Sequence, residues 1–431
     1  MILPFVEQAI RPLEESPSLQ AALRALERAG APSEVTLAGL TDTAKLLATA
    51  LAARALGRPV FLVTASNRRA ETLLEPLRFF YGVLTGRPES AVAFLPAHDV
   101  SPYRGLSTHP EIAAERAQAL WRLAIGEAEL AVVALPAALG RLASREQYAA
   151  LGRTVAASEA LDREEFIAYL EGAGYERREP VEMPGEFSVR GGIVDIFPVE
   201  GRPLRLEFFG DTLEELRQFD PATQRSTSPL TAATLVPLLE TPRTPERLTR
   251  LWALKEGREP ARPAGGPEGS VNPFPGWEFL VPLAEGLGGT LLELAPRALV
   301  VLDEPRSLRE EADKLWSRLE EEHAERRGER AVAAAPGELF LRWSAFDAAL
   351  RLGSESATAA ARPRLHLEEL ALEISGADHF ALVSQPTPHF RGFLRAFVEE
   401  VRQRLRQGGP VLVASATSGE MERMAEILSE Y

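Results

Sequence analysis

Continuous apolar runs alternate with helix-period segments over the first 150 residues. Val35–Leu37, Val60–Thr64, Ala91–Leu95 and Leu130–Leu135 are the apolar runs; Thr41–Leu56, Ser66–Phe80 and Pro110–Ile125 have helical composition and spacing. Strands separated by helices of 10–15 residues predict an α/β unit with a parallel sheet. Runs that are apolar at every position, rather than at every second one, predict strands covered on both faces. A further run, Ala298–Leu302, ends in Asp303-Glu304 and precedes a charged helix, Arg306–Arg330, with Leu308, Leu315, Trp316 and Leu319 at helical spacing. The charges of that helix read as its solvated face.

Between residues 153 and 236 the rhythm changes. One helix, Leu161–Tyr169, is followed by short runs broken at Gly191-Gly192, Glu200–Pro203 and Gly210-Asp211. Frequent turns between β-branched and aromatic runs predict a small antiparallel sheet. The chain therefore reads as an α/β lobe in two parts, 1–152 and 237–345, interrupted by a β-rich α+β insert at 153–236. Within the second part, 256–270 is rich in Gly, Pro and charge and reads as a flexible loop. Residues 346–361 read as a linker. Residues 362–431 read as a small α/β domain with runs Phe380–Val383, Phe390–Gln407, Val411–Ala414 and Ser418–Tyr431, in which Phe393, Phe397, Val401 and Leu405 would form a core stripe.

Composition narrows the function classes. A chain of 431 residues has room for about three domains. It has no Cys, which excludes disulfides, thiolate nucleophiles and Cys-ligated metals. No apolar run approaches the ~20 residues of a membrane span, and MILPFVEQAI lacks the basic start of a secretory signal, so a cytoplasmic protein without a membrane partner is expected. A net charge of −14 opposes wholesale, non-specific DNA wrapping but leaves room for a local basic patch. The only lysines are Lys45, Lys255 and Lys314, so nearly every cation is an Arg. A GC-rich genome would produce that bias; so would selection for bidentate contacts. The six histidines show no metal spacing and no Ser–His–Asp set stands out, so neither a metal nor a cofactor is expected.

One catalytic pattern is partly present. A phosphate loop, G-x-x-x-x-G-K-[ST] between strand and helix, has its first Gly at Gly39 and its Lys at Lys45. Ala44 stands where the second Gly belongs, and Leu46 where the Mg²⁺-ligating hydroxyl belongs. Forcing an Ala into a Gly conformation costs roughly 1–2 kcal/mol. Asp42 places negative charge where phosphate would lie. Asp303-Glu304, after a strand, is the kind of acidic pair that holds Mg²⁺ in nucleotide hydrolases; beside so degenerate a loop it reads as a relic. The expectation is a non-enzymatic chain.

The most specific stretch is Gly174–Ser226, which contains PGEFSVRGGIVDIFP, RLEFFGD and FDPATQRS. It resembles the inserted domain shared by the excision-repair protein UvrB and the transcription-repair coupling factors. The ending Thr223–Ser226, the segment FLPAHDVSPYRGLSTHPEIAAERAQALWRL, and Gly276-Trp277-Glu278-Phe279 with Pro282-Leu283 are similar to the coupling-factor family. The DNA-inserting, Tyr-rich hairpin of UvrB has no counterpart: between Leu95 and Glu111 the only Tyr is Tyr103. The resemblance implies a helicase-like lobe, recruitment of UvrA by mimicry of UvrB, and a UvrA-binding set of Arg177, Arg190, Arg205, Glu207 and Phe209. A UvrB Arg falls at Ser188. In the intact family RNA polymerase and double-stranded DNA are further partners, bound by regions this chain lacks, so it reads as an N-terminal fragment or truncated homologue, expected to be monomeric. The residues themselves leave an alternative. Phe208 and Phe209 are adjacent on a strand, so one points away from the core unless both faces are covered; Phe209 could instead pack on the helix Glu164–Glu171, with the arginines merely solvated. Two other readings are an active ATP-dependent helicase or translocase lobe resting on Lys45 and Asp303-Glu304, and a weak DNA-holding lobe.

Overall fold

The computed structural model describes residues 4–28, 34–257, 272–326, 334–352, 362–371, 378–386, 388, 390, 393–408, 411, 413 and 417–430. Its main sheet has seven parallel strands in the order His379–Ala381, Glu34–Ala38, Arg364–Glu368, Leu299–Asp303, Val60–Thr64, Leu130–Ala134 and Val92–Leu95. The central strands are buried at every position, and each face feeds its own core. Phe61, Val63, Ala131, Val133, Val300 and Leu302 pack against the helices Pro110–Ile125, Pro305–Arg326 and Trp343–Leu352. Their neighbours Leu62, Val132, Val301 and Leu367 pack against Pro17–Glu27, Asp42–Leu56 and Asn67–Thr85. Period-two alternation thus survives inside runs that are apolar throughout, because both faces are covered.

The insert leaves and re-enters the lobe on a two-stranded antiparallel ribbon, Arg153–Ala156 against Ala232–Leu235. Beyond it, Glu186–Arg190, Ile193–Phe197, Leu204–Phe209 and Thr212–Asp220 form an antiparallel meander, with Arg225–Pro229 at one edge and Glu176–Arg177 at the other. Gly191, at φ +60°, opens the Gly191-Gly192 hairpin, and a side chain at Gly192 would lie 2.7 Å from the Phe208 carbonyl oxygen. The helix Arg163–Ala173, N-capped by Asp162, lays Phe166, Ile167 and Leu170 on the inner face against Phe187, Val194, Ile196, Leu206 and Leu216.

Three expectations about the C-terminal third are corrected. Residues 346–352 are not linker: they continue the helix Trp343–Leu352, and Phe346 and Leu350 are fully buried in the lobe core. Residues 362 onward do not begin a separate domain, because Arg364–Glu368 and His379–Ala381 flank Glu34–Ala38 in the main sheet. Local pattern could not reveal this, since both pairings span more than 300 residues. The expected stripe on Leu394–Arg406 is not core: Phe393 and Leu405 are exposed, and Val398 is the buried residue. Residues 258–271, most of the expected loop at 256–270, and residues 353–361, 412 and 414 lie outside the described residues.

Candidate functional site

The outer face of the insert sheet collects four of the five residues named from the sequence. Register sets Arg190 opposite Ile193, Ser188 opposite Asp195, Asp195 opposite Arg205, and Glu207 opposite Ile193. Alternation then sends Phe208 inward, where it packs at 6.2 Å on Phe166, and Phe209 outward, 76% exposed. The packing of Phe209 on the insert helix, left open by the sequence, does not occur. Arg177 is exposed on the edge strand, but its register partner is the inward-facing Phe187, so it stands apart from the other four.

The residue that organises this face is Asp195, whose side chain is fully buried. It accepts 2.7 and 2.9 Å hydrogen bonds from Arg205 Nε and Nη2, and a 2.6 Å bond from Arg190 Nη2. Arg205 is nearly buried, lies over the Phe219 ring at 5.2 Å, and also donates to Ser226 Oγ. Hydrogen bonding to Asp195 raises its pKa further. Arg205 is therefore a fixed element of the sheet. Arg190, 43% exposed, is anchored to Asp195 through one nitrogen, on the same face of the sheet as Ser188, Glu207 and Phe209. A bidentate donor and an exposed aromatic on one sheet face are the composition of an interface. Asp195 was missed from sequence, although an acid inside the run Ile193–Phe197 was a visible anomaly.

The second set, at the C-terminal end of the parallel strands, is arranged differently. Lys45 is buried, and its Nζ donates to Asp303 at 2.7 Å and Glu304 at 2.6 Å. Arg69 binds the other Asp303 oxygen at 2.8 Å and grips Asp42 through both terminal nitrogens. Burial alone would lower the Lys45 pKa, but the two carboxylates carry it above its ordinary value; the Arg69 hydrogen bond holds Asp42 below its own. The loop amides are also engaged. Gly39 and Leu40 donate to the Glu368 carbonyl, and Thr41 donates to Ser384 Oγ at 2.7 Å. Gly39 takes φ +91°, and a Cβ there would sit 3.2 Å from the Leu382 oxygen. The strand-end segment 382–384 thus lies where a phosphate would approach. Ala44 sits inside the helix Asp42–Leu56 and carries none of the expected strain, and Leu46 is a core residue. Glu304, with φ +57°, holds the strained backbone instead, fixed by Lys45 and the Glu369 amide. Arg69 and Ser384 could not be found from spacing, being 234 and 343 residues from their partners.

A third network lies in the lobe where the chain returns from the insert. Arg116 is buried, donating to the Pro96 carbonyl at 2.7 Å and to both Glu240 oxygens at 3.2 and 2.8 Å. His98 Nε2 lies 3.4 Å from Glu240, and Glu278 accepts from the Thr108 amide and Ser107 Oγ. Burial would raise the Glu240 pKa, but Arg116 and His98 drive it well below the carboxylate range. This clamp fixes the root of the insert.

Comparison with known proteins bears on the same regions. Residues 154–240 match the UvrB interaction domain family. The chain is 33% identical over 315 residues, 67% of its length, to 25% of the transcription-repair-coupling factor of Myxococcus xanthus. It is 30% identical over half its length to 18% of the one from Bacillus subtilis, and 34% identical over 49% of its length to 17% of the one from Mycobacterium bovis. The chain thus spans about a quarter or less of the curated relatives it matches.

Proposed function

We propose, taking the chain as a relative of the transcription-repair-coupling factors that carries a UvrB interaction domain, that it is a recruitment module for UvrA in nucleotide excision repair. The contact is the outer face of the insert: Phe209 enters a pocket of UvrA, Arg190 presents its outer nitrogens to a carboxylate, and Glu207 contributes an acceptor at the rim. Asp195 and Arg205 hold that face in shape, and Arg177 acts from the edge strand. The observation that carries the reading is Phe209, a 76% exposed aromatic on the same sheet face as a half-exposed Arg190 held by Asp195. Large exposed aromatics next to arginine are characteristic of interface anchors.

The lobe acts as a scaffold and hydrolyses no nucleotide. Supporting this, its lysine, both acids and three loop amides all have protein partners. In a longer protein of this family, coupling to RNA polymerase and movement on duplex DNA would belong to other regions.

Calorimetric titration of UvrA with this chain, without nucleotide, tests the proposal. Saturable binding that disappears when UvrA is first saturated with UvrB is the expected result. Binding that persists on UvrB-loaded UvrA would contradict mimicry, and no binding would contradict recruitment.

A further inference from the structure

At the N-terminal ends of the central strands, opposite the phosphate-loop end, lies a hollow of about 410 Å³. That is within the ~300–1,000 Å³ of small-ligand sites. Arg58, Arg87, Arg145 and Arg297 line it, against a single carboxylate, Glu129. Around this one hollow the balance is positive, in a chain whose net charge is −14. The arginines differ in how far they are engaged. Arg87 pairs with Glu129 at 2.7 Å, and Arg145 Nε donates to the Ala124 carbonyl. Arg58 and Arg297 have no hydrogen-bond or ion-pair partner among the described residues. The helices Asp42–Leu56, Asn67–Thr85 and Pro110–Ile125 end here, and their terminal carbonyls favour cations nearby. That attraction accounts for arginines at the rim. It accounts less well for four around one concavity, two of them without a partner among the described residues and one, Arg145, at a helix N-terminus.

We propose that this hollow binds a terminal phosphoryl group, held by bidentate guanidinium contacts from Arg58 and Arg297 with Arg145 beside them. Arg is suited to this because its planar fork matches two phosphate oxygens. Pro59, Leu294, Ala295 and Pro296 supply an apolar wall for the remainder of the ligand. The phosphate could belong to a free diphosphate or to the end of a nucleic-acid strand; both present the same oxygens.

The test is calorimetry on the full chain at about 50 mM salt, where electrostatic contacts are least screened. Inorganic pyrophosphate is one probe; DNA hexamers with a 5′-phosphate or a 5′-hydroxyl are the other. Saturable binding is expected, weakened about tenfold or more in Arg58→Ala/Arg297→Ala and unchanged in Arg68→Ala, an exposed control at the opposite end of its helix. The double variant should melt like the parent, since neither residue has a partner among the described residues. Tighter binding of pyrophosphate assigns a free ligand; tighter binding of the phosphorylated hexamer over its hydroxyl form assigns a strand end. No saturable binding of any probe, or equal binding by the double variant, would overturn the proposal.

Discussion

The lobe cradle and the insert face are built from the same parts, buried acids gripped by basic side chains, yet they are fitted for opposite roles. In the cradle every charge is paired: Lys45, Arg69, Asp42, Asp303 and Glu304 satisfy one another, and Ser384 and Glu368 take the loop amides. On the insert, Asp195 is equally buried, but its ligand Arg190 is only half engaged and shares its face with an uncovered Phe209. Residue type does not separate the two sets. What separates them is whether the donors are exhausted within the chain, and this depends on partners hundreds of residues away.

The sharpest way to break the contrast is at its anchors. Asp195→Ala strands Arg205 without its counter-ion, and a broken buried pair costs about 3–5 kcal/mol; urea denaturation should show that loss together with weakened UvrA binding. Lys45→Met leaves Asp303 and Glu304 without Nζ and should cost about 3 kcal/mol by the same logic, with UvrA affinity unchanged. A destabilised Asp195→Ala chain with full affinity would remove Asp195 from the account. Phe209→Ala works in the other direction, costing about 2 kcal/mol or more of UvrA binding, roughly 30-fold, with an unaltered denaturation curve. Millimolar ATP should leave the melting temperature of the Arg58→Ala/Arg297→Ala chain unchanged, whereas a ligand at 100 times its Kd would stabilise by about 2.7 kcal/mol.

The smallest effect concerns the clamp at the root of the insert. The Glu240 carboxyl is depressed in the folded chain, so its contribution is present above the ordinary value of 4.5 and is lost as pH falls toward its folded value. His98 is also depressed, by burial first and then by Arg116, so protonating it on the acid side costs stability too. The parent should lose more stability than Glu240→Gln between about pH 5 and 3, measured by denaturant titration.

Much of this organisation was legible in the chain. Val60–Thr64 and Pro110–Ile125 have the bounds their patterns predict, because covered strands and capped helices announce themselves locally. The α/β class and the β-rich insert followed from the change in rhythm at 153. The outward turn of Phe209 was one of two possibilities that strand alternation allowed. What could not be read were the pairings at long separation. The strands Arg364–Glu368 and His379–Ala381 look like the start of a new unit because nothing near them in sequence shows that they complete the first sheet. The strain expected at Ala44 is absent: the helix begins earlier, at Asp42, and in this cradle the residue with a left-handed backbone is Glu304.

The most direct test of the account is a pair of calorimetric titrations of UvrA, one with Phe209→Ala and one with Lys45→Met, beside the parent chain. The account predicts that the Phe209 variant loses binding while remaining folded, and that the Lys45 variant binds like the parent despite its lower stability. Full binding by Phe209→Ala, or loss of binding only on changing Lys45, would contradict the assignment of function to the insert face.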